Sequence, residues 1–186
     1  MPVPFVVFLI SLAGLAGSIL IPGPLSGVLF PFFAVCLLAA TILILIARRR
    51  RQERFIVVDG SNVMHWQDGQ ARIETVRKVL QELSRQGYVP VVWFDANAGY
   101  KIGQRYLGPH ALAKALGISA RQVFVAPKGT PADPLLLAAA THLQARVVTN
   151  DRFRDWVSEH PQIEDDGFLI FGAMRQGEVR MRLSEP

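Results

Sequence analysis

The pattern of hydrophobic and polar positions changes character at residue 48. Before it, apolar residues run without a single charge through 3–21 and again through 25–47, parted by Pro22-Gly23-Pro24. Each stretch matches the roughly 20 apolar residues needed to cross the hydrocarbon of a bilayer. The pattern predicts two transmembrane helices, about 3–21 and 25–47, folded as a hairpin within residues 1–47. A secretory signal peptide fits less well, because there is no basic n-region, no small-x-small cleavage site, and a second apolar stretch follows at once.

After residue 48 the period alternates between that of a strand and that of a helix. Short apolar, β-branched runs at 55–59, 89–95, 123–127 and 146–151 read as strands buried on both faces. Between them, Ile73, Val76, Val79, Leu80 and Leu83 recur at spacings of three and four, which predicts a helix over 73–86 that Gly87 stops. Helices are also predicted over 109–116, before Gly117, over 135–144 and over 152–159. Residues 168–174 and 178–183 read as a closing strand and its hairpin partner, joined by Arg175-Gln176-Gly177. This alternation predicts an α/β domain over 55–186, a parallel sheet flanked by helices, reached through a basic juxtamembrane linker at 48–54.

Charge adds a direction. The arginines at 48–51 abut the second apolar stretch, and the rule that basic loops stay inside places residues 48–186 in the cytoplasm of a multi-pass protein of the inner or plasma membrane. The same four account for most of the excess of 20 Lys and Arg over 15 Asp and Glu, leaving 16 against 15 from residue 52 onward. The basic pI is therefore a topology signal and not a mark of nucleic-acid binding, although the arginines are also placed to touch anionic lipid. The one cysteine, Cys36, falls in the second span, and no disulfide framework or zinc-spaced Cys/His set exists.

Three predicted strands run into an aspartate: Asp59, Asp95 and Asp151. In an open α/β sheet, ligands gather beyond the carboxyl ends of the strands, so these acids are expected at one edge. Clustered carboxylates repel and raise one another's pKa, so a hard divalent cation with oxygen ligands is the natural companion. Asp151 and Asp155, four apart at a predicted helix start, are expected to share one face near the positive end of its dipole. Thr130-Pro131-Ala132-Asp133 reads both as a helix cap, with Thr130 as N-cap and Asp133 third in the helix, and as a further acid at the same edge.

The set Val58-Asp59-Gly60-Ser61-Asn62-Val63, Pro131-Ala132-Asp133 and Val148-Thr149-Asn150-Asp151-Arg152-Phe153-Arg154-Asp155 resembles the NYN branch of the PIN-like nucleases, in particular the Regnase-type ribonuclease domain. The likeness covers about 55–183. It implies a PIN-like fold and endonucleolytic cleavage of single-stranded RNA by water activated on Mg²⁺ or Mn²⁺. It assigns the catalytic positions to Asp59, Asn62, Asp133, Asp151 and Asp155, with the four aspartates as metal ligands and Asn62 orienting Asp59 or a water. Where the family often carries two adjacent acids, this chain has Ala132 and then Asp133.

Around these positions Ser61, Lys128, Arg152, Arg154 and Trp66 are candidates for holding substrate, the cations on phosphate and Trp66 against a base. Lys101 and Arg105 belong to the same class. Plainer readings stand beside each: a turn and cap at 59–62, an N-cap at Asp151, a solvated Asp155, packing for His65 and Trp66. Asp95 is open between a fourth acid and a turn-former. Single-stranded RNA, the membrane and a second copy of the chain are the expected partners. The rival to an enzyme is a membrane-bound PIN-like module that binds RNA or scaffolds without cleaving. A dinucleotide-binding domain is disfavoured, since Asp59-Gly60-Ser61-Asn62 lacks the G-x-G-x-x-G that lets backbone approach a pyrophosphate.

Overall fold

The computed structural model describes residues 2–20, 25–51, 53–103 and 105–183. The chain divides into two compact units, Met1–Glu53 and Arg54–Pro186.

The first unit is two helices, α1 (Pro2–Leu20) and α2 (Ser26–Arg51). Both contain stretches, Val3–Leu20 and Ser26–Ile46, long and apolar enough to cross a membrane. They pack side by side where Gly14 leaves room for the ring of Phe33: a Cβ at that position would collide with it. Their outer surfaces stay apolar, with Ile10, Leu20, Val28, Val35 and Leu38 all exposed. The Pro22-Gly23-Pro24 turn expected between the helices lies outside the described residues.

The second unit is built on a five-stranded sheet in the order β3-β2-β1-β4-β5, every neighbouring pair parallel. Its strands are β1 (Arg54–Asp59), β2 (Tyr88–Phe94), β3 (Val123–Val125), β4 (Arg146–Val148) and β5 (Leu169–Ile170). β1 lies in the centre, and Ile56, Val57 and Val58 are wholly buried because successive side chains enter the cores on opposite faces. One core, with Ile56 and Val58, is closed by α4 (Ile73–Arg85) and α6 (Pro109–Leu116), and by part of α5 (Ala98–Gly103). The other, with Val57 and Val147, lies under α7 (Ala132–Leu143). Fully burying one such side chain is worth about 1.5–3 kcal/mol, so the alternation that makes β1 apolar on both sides also makes it central.

The pattern-derived elements form, with α5 added between β2 and α6 and four further changes. The residues after β4 make no α-helix over 152–159. Phe153 is buried and takes the left-handed conformation, φ 47°, which breaks the regular backbone, and only 3₁₀ turns at Arg154–Trp156 and Pro161–Glu164 follow. The stretch 168–174 is two strands, not one: β5 joins the parallel sheet, and β6 (Gly172–Arg175) leaves it to pair with β7 (Glu178–Met181) in a hairpin. Its turn is Gln176-Gly177, both at positive φ, as a two-residue hairpin requires. Pro131, not Thr130, stands at the N-cap of α7, so the helix begins at Ala132 with Asp133 second. Finally, Gly60–Val63 forms a short helix, α3, directly after β1, capped by the Asp59 carboxylate.

Candidate active site

The sheet order reverses beside β1: β2 and β3 extend it to one side, and β4 returns to the other. At such a switch point the connections leave in opposite directions, opening a crevice at the carboxyl ends of the two central strands. Asp59 ends β1, and Thr149-Asn150-Asp151 follow β4.

Asp59 is buried, and two hydrogen bonds hold it. Its Oδ1 accepts from the Asn62 backbone N–H at 3.0 Å, and its Oδ2 from the Thr149 hydroxyl at 2.9 Å. They do not compensate for the lost water. Burial first, and then the charges of Asp133 and Asp95, push its pKa up to about 6 from the ordinary 3.8. Asp133, half-buried in the first turn of α7, is raised too, by burial and then by Asp151 and Asp95, against a hydrogen bond from the Trp156 side chain that lowers it. Four acids from four connections thus act on one another across the edge.

Asn62 ties the edge together. Its Oδ1 accepts from Trp66 Nε1 at 2.9 Å and from the Asn150 backbone N–H at 2.9 Å, fastening the segment after β4 to α3. Ser61 does the same toward β2, its Oγ accepting from the Asp95 backbone N–H at 2.8 Å. The Asn150 side chain donates to Gly172 O at 2.8 Å and accepts from Gly172 N at 3.0 Å, seating the β6–β7 hairpin beside the crevice. The glycine of Asp-Gly-Ser-Asn serves close approach rather than an unusual φ: a Cβ on Gly60 would lie 2.5 Å from the Phe94 ring.

The edge therefore brings together Asp59, Asp133 and Asp151, and adds Asp95, whose role the sequence left open. Asp155 stands apart. It is exposed in the 3₁₀ turn, does not share a helical face with Asp151, and is not among the charges acting on Asp59 or Asp133. Asp151 accepts from Phe153 N at 2.9 Å, a local turn that stands in for the helix start expected there. Lys128, Arg152 and Arg154 are exposed. Trp66 is half-buried against the first core, with Gly172 under its ring and its N–H committed to Asn62. Two contributors escaped the sequence reading: Thr149, which bonds Asp59 and accepts from Asp151 N at 3.0 Å, and Trp156. Thr149 was visible as the polar residue ending an apolar strand; Trp156 carried no signal.

The donor set is all carboxylate oxygen, which suits a hard divalent cation. Among the described residues no three acidic, histidine or cysteine side chains converge closely enough to enclose an ion. Mg²⁺-type sites are held by one or two carboxylates with waters and substrate phosphate filling the rest, so an ion here would depend on those further ligands. Asp59 and Asp133 are the residues that would provide the carboxylates.

A parallel sheet with carboxylates gathered at its switch point fits a PIN-like NYN domain. The chain belongs to the Zc3h12a-like ribonuclease NYN domain family, whose model matches residues 52–167. Two solved structures of nuclear proteinaceous RNase P 2 (PRORP2) from Arabidopsis thaliana are similar in fold. Each is 21% identical, with TM-scores of 0.56 and 0.54, and they cover 72% and 74% of this chain but 30% and 31% of their own. The chain thus spans about a third of the length of those structures. No curated protein matches it.

Proposed function

We propose that this chain is a membrane-anchored endoribonuclease that cleaves single-stranded RNA with the help of Mg²⁺ or Mn²⁺. One observation carries the reading: a carboxylate at the switch point is buried beside two other acids at the cost of a pKa pushed up to about 6. An aspartate serving only to cap α3 would be better off without the neighbouring acids, whereas perturbed acids in a crevice are the usual mark of a functional site. Asp59 and Asp133 would hold the ion, and Asp151 and Asp95 shape the field around it. When bound, the ion supplies positive charge against the phosphodiester and acidifies a water. The chain's own residues do the rest. Thr149 and the Asn62 backbone fix the Asp59 carboxylate, Trp156 orients Asp133, and Ser61, Asn62 and Trp66 lock the connections that carry them. Lys128, Arg152 and Arg154 are placed to hold phosphates on either side.

The anchor is α1 with α2, and the arginines that close α2 argue for a cytoplasmic second unit. A module that binds RNA without cleaving it is the second reading. It is favoured by the lack, among the described residues, of three acids close enough to hold an ion unaided. Incubating the purified chain with single-stranded RNA, with Mg²⁺, with Mn²⁺ and with chelator, separates the two. Ion-dependent internal cleavage that Asp59→Asn and Asp133→Asn abolish supports the enzyme; binding without cleavage under all ions supports the module.

A further inference from the structure

The parallel register sets Asp59 opposite Trp93 on β2, and Trp93 opposite Phe124 on β3. Partners in register on parallel strands face the same way, and the cores agree. Val57, two residues before Asp59, and Trp93 belong with the core under α7, while Val123 and Val125, flanking Phe124, belong with the opposite one. Asp59, Trp93 and Phe124 therefore form a row across one face of the sheet, one strand spacing of roughly 4.8 Å apart at each step. Asp133, in the first turn of α7, belongs to the helix that covers this same face.

That helix covers only part of it. α7 packs chiefly on β1, β2 and β4 rather than on the edge strand β3, and Phe124 there is 40% exposed. The Trp93 and Phe124 rings are stacked, 5.0 Å between centroids and 16° between planes, with Phe124 the exposed member of the pair. Exposed large apolar residues are few in the second unit: Tyr100, Tyr106, Phe124 and Phe171 among those described, so an exposed aromatic ring is not the general condition of this surface. Packing alone also fails to explain the indole. Trp93 Nε1 is buried without a hydrogen-bond partner among the described residues, a loss that phenylalanine at this position would avoid. What tryptophan supplies beyond phenylalanine is the larger π face.

We propose that the Trp93–Phe124 stack is a platform for the base of a nucleotide adjoining the scissile phosphate, and that it restricts this site to unpaired RNA. The proposal rests on the ribonuclease reading of the Asp59 edge. Every base offers a π face, so the platform is tolerant of sequence, but a base must leave its own stack to lie on it. Duplex RNA cannot do so without unpairing.

The test uses the full chain in detergent micelles and single-stranded oligonucleotides carrying one abasic residue at successive positions around the cleavage site. Base stacking of the usual strength predicts that Phe124→Ala raises KM about tenfold with kcat nearly unchanged. Phe124→Tyr, which keeps the ring, retains wild-type KM. In the wild type, removing one particular base has the same effect as Phe124→Ala, and in that variant removing it adds nothing. The advantage of single-stranded over duplex substrate narrows in Phe124→Ala. Additive effects of the variant and every abasic position, or an unchanged KM, overturn the platform while leaving the nuclease intact. If the wild type does not cleave, the nuclease reading fails. The same matrix of variants and abasic oligonucleotides, read as binding affinity in chelator, then decides the platform: coupling at one position supports it and its absence removes it.

Discussion

Asp59 brings a charge to a place that disfavours charge, and the consequences can be measured at one residue. Its folded-state pKa of about 6 lies above the ordinary 3.8, so between those values the folded chain keeps a proton that the unfolded chain has lost. Stability therefore falls as pH rises through that window, by about 3 kcal/mol in all, and is level above it. Asp59→Asn removes the charge while keeping an oxygen for the Asn62 N–H. At pH 7 the metal-free variant should melt several degrees above the wild type, less whatever about 1 kcal/mol of weakened bonding to Thr149 takes back. Its melting temperature should drop less between pH 4 and 6, leaving the contribution of Asp133, whose pKa is raised as well. Cleavage should vanish in the same sample, a pairing of gain and loss that a structural aspartate would not give. A second outcome belongs to the same proton. Because a ligand must be deprotonated, Mn²⁺ affinity measured by titration calorimetry should weaken about tenfold per pH unit below about 6 and level off above it. An affinity flat from pH 5 to 8 would take Asp59 out of the ion site.

At the scale of elements, the crevice depends on segments that lack regular structure and are fastened by side chains. Asn62 and Asn150 do most of this, one holding the connection after β4 to α3, the other holding β6. The hairpin seats closely only because residue 172 has no side chain: a Cβ there would stand 2.5 Å from the Trp66 ring and 2.7 Å from Met181. Gly172→Ala should therefore destabilise by about 1–3 kcal/mol, the usual cost of overfilling a packed contact. Because Asn150 precedes Asp151, cleavage at a temperature where the variant is still folded should fall with it. A variant that loses stability but keeps full activity would show that the hairpin does not help position the acids. A long amphipathic element such as α4 was legible from its periodicity, since burial and period are the same fact there. The segment after β4 was not: Asp151 through Asp155 has the composition of a helix start, and the buried ring of Phe153, at φ 47°, overrides it.

For the whole molecule, two linkages follow. An ion that binds only the folded state at 100 times its dissociation constant stabilises by about 2.7 kcal/mol. The unit 54–186, which contains both of its cores, should show that rise in melting temperature with Mg²⁺ or Mn²⁺. The rise should shrink sharply in Asp133→Asn and persist in Asp68→Asn, an exposed position at φ 55° that asparagine adopts readily. Equal responses in the two variants would mean that the edge acids do not form one site. The second linkage is to the bilayer: reporter fusions after Pro186 should be active in the cytoplasm, and fusions within Pro22-Gly23-Pro24 outside it. Activity of the C-terminal fusion only outside the cytoplasm reverses the topology.

Local physics was enough to determine the two apolar helices, the alternation of strands with helices, the parallel class of the sheet and the presence of acids at strand ends. Each of these follows from a period, a run length or a residue at a strand terminus, all of which one stretch of chain contains. Which acids meet was decided by the tertiary structure. Strand order put β1 beside β4, so Thr149 reaches Asp59 from 90 residues away and Asp95 joins the field. One buried ring turned Asp155 away. The row of Asp59, Trp93 and Phe124 likewise exists only once three strands are in register, because no local pattern records which residues will lie side by side on neighbouring strands.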